Sequence, residues 1–114
     1  MTTVPIVPGV ATVILNGAGA GTVKLGPVGA REVWNPSSAS VSVSTNTNEA
    51  QCRLYVGDTP IAANFRDGTL SGSTGDSSGR VGGPIPLGWY VWAVWTGGDA
   101  GSVATLNVYG SKDV

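Results

Sequence analysis

Ser40-Val41-Ser42-Val43-Ser44-Thr45 turns its valines to one side and its serines to the other, the period-two pattern of a strand with one buried face. Working outward, Cys52, Leu54 and Val56 alternate with Gln51, Arg53 and Tyr55, and Ala104, Leu106 and Val108 alternate with Val103, Thr105, Asn107 and Tyr109. Toward the N-terminus, Ala11 to Asn16 and Thr22 to Leu25 flank Gly17-Ala18-Gly19-Ala20-Gly21, which predicts a hairpin with a flexible loop. No stretch free of Gly and Pro carries a helical stripe of apolar residues, so the chain is expected to be all-β. Roughly seven or eight short strands separated by turns predict an antiparallel β-sandwich, jelly-roll-like, with a barrel as the alternative. The domain is expected over residues 11–114, behind an extended N-terminal arm of residues 1–10.

Two further segments complete this reading. Gly88-Trp89-Tyr90-Val91-Trp92-Ala93-Val94-Trp95 is apolar on both faces, which predicts a central strand covered on each side or an edge that meets a neighbouring subunit. Thr96 to Gly101 turns the chain into Ser102 to Tyr109, the second predicted hairpin. Asp67 to Arg80, polar and glycine-rich, is expected as a surface loop with room for a short strand.

Composition excludes several functions. At 114 residues, with 18 Gly and 7 Pro, the chain supports one domain and one core. Charged residues are 11% of the total, less than half of the roughly 25% of an average domain, and the net charge is −1. The Lys and Arg residues are dispersed, so no nucleic-acid partner is expected. His is absent and Cys52 is alone, which excludes Cys/His metal sites, Cys-His nucleophiles and Ser-His-Asp triads, and also any intramolecular disulfide. The core must then stand by packing or by oligomerisation. Trp89 to Trp95, the longest nearly unbroken apolar run, is far too short to span a bilayer as a helix, so no membrane insertion is expected. The N-terminal segment lacks leading cations and contains Pro5 and Pro8, so it is not expected to act as a secretory signal.

Candidate sites follow from the residues that remain. Gly17, Gly19 and Gly21 have the look of a phosphate loop, but no Lys-Ser/Thr and no helix follow. Asp67 and Asp76 are the candidate carboxylates for a metal or for acid/base chemistry; their spacing matches no calcium loop, and turn-capping explains them more simply. No catalytic residue, metal or cofactor is expected, and the chain is not expected to be an enzyme. On the aromatic strand Trp89 and Trp95 share a face with Val91 and Ala93, while Tyr90 and Trp92 share the other with Val94. One face is expected in the core and the other in a subunit contact, with a sugar-stacking platform as the competing reading, because indole offers a large rigid apolar area and one N–H. The arm keeps Val4, Ile6 and Val7 outside any alternating strand and is expected to lie across a neighbouring surface. Val4, Ile6, Val7, Trp34, Tyr90 and Trp92 together form the candidate interface.

Three segments also carry a family likeness. They are Gly29-Ala30-Arg31-Glu32-Val33-Trp34-Asn35-Pro36-Ser37 leading into Ser40 to Ser44; Asp67-Gly68-Thr69-Leu70-Ser71-Gly72-Ser73-Thr74-Gly75-Asp76; and Gly88 to Trp95 continued by Thr96-Gly97-Gly98-Asp99-Ala100-Gly101. Over about residues 20 to 112 the chain resembles small β-rich virion proteins of tailed bacteriophages that infect actinobacteria. The resemblance implies a non-enzymatic structural protein of the particle, made in the host cytoplasm and present in many copies as a capsid decoration or a minor tail component. Its expected partners are further copies of itself, a trimer first, and major capsid or tail subunits. A carbohydrate-binding, host-attachment module, with a glycan as partner, is the alternative for the same fold and aromatic density.

Overall fold

The alternation around Ser40–Thr45 lies in a long strand, β4 (Val33–Val43), of a computed structural model that describes residues 2–7, 9–45, 47–71, 77–79 and 84–114. Around it the described residues form β1 (Thr3–Pro5), β2 (Val10–Ile14), β3 (Gly21–Leu25), β5 (Ala50–Gly57), β6 (Phe65–Ser71), β7 (Ser77–Gly79), β8 (Tyr90–Thr96) and β9 (Val103–Asp113), with a 3-10 turn at Ala62–Asn64. All strand pairings are antiparallel. One sheet runs β1-β9-β4-β7, with β2 also on β9, and the other runs β3-β8-β5-β6.

The pairing is nested: β2 with β9, β3 with β8, β4 with β7 and β5 with β6. That is a single long hairpin rolled up so that β4 also meets β9 and β5 also meets β8, which is the jelly-roll topology. The expected all-β, jelly-roll-like sandwich is therefore the fold. Its core forms where the inward alternates of the two sheets meet: Val41, Val43, Leu106 and Val108 from one, and Cys52, Leu54, Val56, Val91, Ala93 and Trp95 from the other. Large and small side chains stand side by side, Trp95 beside Cys52 and Leu54 beside Ala93, so the layer fills without crowding. Burial pushes the Cys52 thiol up to about 12, which keeps it protonated and inert.

Both predicted hairpins are corrected. β2 and β3 lie in different sheets, as do β8 and β9, so the connections after β2 and after β8 are arches that cross the sandwich. Period-two patterning says which side of a strand faces inward, and both a hairpin and an arch satisfy it. The arches hold each other: Leu15 N–H donates to the Ser102 carbonyl (2.9 Å), Gly101 N–H to the Leu15 carbonyl (2.9 Å) and Gly98 N–H to the Gly19 carbonyl (3.1 Å). Gly19 is required there, since its φ of +71° suits glycine and a Cβ would run into the Gly98 backbone. The connection between β4 and β5 is clamped to the same end by Asp99, whose carboxylate accepts from Thr45 Oγ1 (2.8 Å), Thr47 N–H (2.8 Å), Asn48 N–H (2.8 Å) and Asn48 Nδ2 (3.0 Å).

The N-terminal arm is corrected as well, because it docks on its own chain. β1 pairs with Ser111–Asp113 at the end of β9, Thr2 and Val114 exchange backbone hydrogen bonds, and Ile6 N–H donates to the Gly110 carbonyl (3.1 Å). Ile6, at 6% exposure, belongs to the core cluster. Pro5 fits this position, since an edge strand leaves outward N–H sites unpaired in any case. The segment expected as a loop from Asp67 is partly β6, and β7 supplies the short strand; Asp76 lies outside the described residues.

Candidate functional site

The residues of the candidate interface separate by depth. Ile6 and Trp34 are part of the core, Trp34 at 4% exposure, so neither is available to a partner in this fold. Trp34 exchanges backbone hydrogen bonds with Ile85 (2.9 and 2.8 Å) and donates its indole N–H to Glu32 Oε1 at 2.6 Å; Lys112 Nζ stands 3.7 Å from the same oxygen. Val7 is 69% exposed and Val4 half-buried beside the end of β9. Trp89 precedes β8 and is exposed, whereas Val91, Ala93 and Trp95 point into the core.

Tyr90 and Trp92 remain half-exposed on the outer face of β8. The strand is central, bonded to β3 on one side and β5 on the other, yet no part of the described chain covers this face as a further layer. Cross-strand register then extends the aromatic pair into a row across the whole sheet, Lys24–Trp92–Tyr55–Phe65, in which Tyr55 is itself buried, at 9% exposure, between Trp92 and Phe65. Tyr90 sits edge-on to Trp92 (centroids 5.7 Å, 77°), and Tyr55 edge-on to Phe65 (5.7 Å, 73°). Lys24 Nζ stands 4.4 Å from the Tyr90 ring centre and 5.3 Å from that of Trp92, within cation–π range. Trp92 is held in place by its indole N–H, which donates to the Gly57 carbonyl at 3.0 Å. Phe65, 47% exposed, ends the row, and its ring lies near Gly68. The next row is Thr22–Val94–Arg53–Gly68.

Sequence patterning placed Tyr90 and Trp92 on one face and Tyr55 with Arg53 on another, but it did not bring the two strands together; Lys24 and Phe65 were missed altogether. Of the two candidate carboxylates, Asp76 lies outside the described residues. Asp67 is half-buried and accepts from Gly68 N–H (2.9 Å), and among the described residues no three His, Cys, Asp or Glu side chains come together as a metal site. Among the described residues no helix is long and apolar enough to cross a membrane. No protein-family model and no curated protein matches the chain.

Proposed function

We propose that the protein is a non-enzymatic structural subunit of a tailed-phage particle, seated on the capsid or tail surface in several copies, with a trimer as its unit. The observation that carries the proposal is the aromatic face of a jelly-roll sheet, where Tyr90 and Trp92 are half-exposed and Phe65 is exposed around a buried Tyr55: a small domain that leaves three rings partly open on one outer face gains apolar burial when a neighbouring surface covers them. The jelly roll is a recurrent domain of viral capsids, and the sequence resemblance to virion proteins supplies the setting. Fold alone does not fix function, so the particle itself must be probed. An antibody against the protein should label intact particles at repeated positions, and the protein should sediment as an oligomer at tens of micromolar. Unlabelled particles, with the protein left in the soluble fraction, would end the proposal.

The same row favours a second reading, a jelly-roll module that binds carbohydrate. Lectin domains share this architecture, and a rigid line of rings suits the C–H faces of sugars.

A further inference from the structure

We infer that the outer face of the β3-β8-β5-β6 sheet is a binding site for an acidic oligosaccharide, a chain of uronic-acid type. The inference rests on the carbohydrate reading of the row and adds the charge that its ligand must carry.

β3, β5 and β8 contain no Asp or Glu, and they supply Lys24 and Arg53 to the outer face. β6 adds Arg66 and one acid, Asp67, which stands opposite the inward-facing Leu54 and so off the outer rows. Among the described residues neither Lys24 nor Arg53 has a carboxylate partner, while Lys112 does. The chain as a whole has net charge −1, so this face is locally positive on an otherwise acidic protein.

Shape selects the partner class. Four strands make three inter-strand steps of about 4.8 Å, so the row runs about 14 Å, the span of a short oligosaccharide rather than of one ring. The rings are preorganised: Trp92 is pinned to Gly57 and each aromatic pair is locked edge-to-face, so little side-chain entropy is lost on contact. Lys24, at one end of the row, and Arg53, one row away beside Tyr55, are placed to meet carboxylates on a sugar chain whose C–H faces lie on the accessible rings, Trp92 and Phe65. Single-stranded nucleic acid also stacks on aromatic rings, but it needs a continuous basic track, and the separated cations Lys24, Arg53 and Arg66 on an acidic chain do not make one.

The test is isothermal titration calorimetry of the full chain at low salt with three probes: an oligogalacturonate, a neutral malto-oligosaccharide and a single-stranded oligothymidylate. The oligogalacturonate should bind, more weakly as salt rises, and at least about tenfold more tightly than the neutral chain. The double variant Lys24→Ala/Arg53→Ala should lower that affinity about tenfold. Phe65→Ala, at an exposed ring, should weaken it while leaving the melting temperature nearly unchanged. Equal binding of acidic and neutral chains, lost in Phe65→Ala, would keep the carbohydrate reading and overturn the acidic inference. No binding of either sugar would overturn both, and preferential binding of the oligothymidylate would replace both.

Discussion

Truncating Ile6 to alanine separates an arm that completes its own domain from one that serves a neighbour. Ile6 is 6% exposed within the core cluster, and the substitution removes three carbon atoms. At about 0.8 kcal/mol for each, with a small cavity term because the arm lies at a sheet edge and can settle inward, the loss comes to about 2 to 3 kcal/mol. For a domain of this size, about 4 °C in melting temperature accompanies each kcal/mol, so the midpoint should fall by about 8 to 12 °C. Val7→Ala is the internal control: at 69% exposure it should stay within about 0.5 kcal/mol of the parent. Thermal unfolding followed by circular dichroism over a hundredfold range of protein concentration is the assay. An intramolecular arm predicts that the gap between Ile6→Ala and the parent does not change with concentration, whereas an arm docked on a partner makes that gap itself depend on concentration. If Ile6→Ala and Val7→Ala melt together, the arm is not docked as the structure has it, and the reasoning fails.

Trp95→Ala should cost roughly 3 to 5 kcal/mol, because Trp95 is the largest fully buried side chain, while Trp89→Ala, at an exposed ring, should cost far less; urea unfolding of both variants makes the comparison, and equal losses would contradict the assignment of faces on β8. Hydrogen bonds from Asn48, Thr45 and Thr47 hold the Asp99 carboxyl below its ordinary value. Its contribution should be present in full above the unfolded carboxylate pKa and be lost as pH falls through the lower folded value, so the stability gap between the parent and Asp99→Asn should close in acid; a gap that widens there would refute the clamp.

Much of the fold was legible because burial in a two-layer sandwich imprints alternation. Val41 and Val43, Cys52, Leu54 and Val56, and Ala104, Leu106 and Val108 all point inward as their spacing requires. Trp95 and Ala93 do so too, although the aromatic strand is apolar on both sides and its spacing alone did not say which side faces the core. The candidate site was less legible. Tyr90 and Trp92 stood out by composition, but Lys24 and Phe65 joined them only through cross-strand register, which relates residues far apart in the chain. Trp34 and Ile6 read as surface candidates because their burial depends on Ile85 and on the end of β9, contacts that no local pattern records.

From sequence alone came the all-β class, the inward alternates of the strands that have one polar face, and the buried thiol of Cys52: each follows from the residue types and a two-residue period, which act within a few positions along the chain. Which strand pairs with which was decided only by the tertiary structure. A glycine-rich connection serves a hairpin or an arch equally well, and the choice fell to the contacts between arches, Gly19 against Gly98 and Leu15 against Ser102, together with the burial gained when the rolled sheets close on each other. That closure also decided the face on which the rings of Trp92, Tyr55 and Phe65 line up beside Lys24.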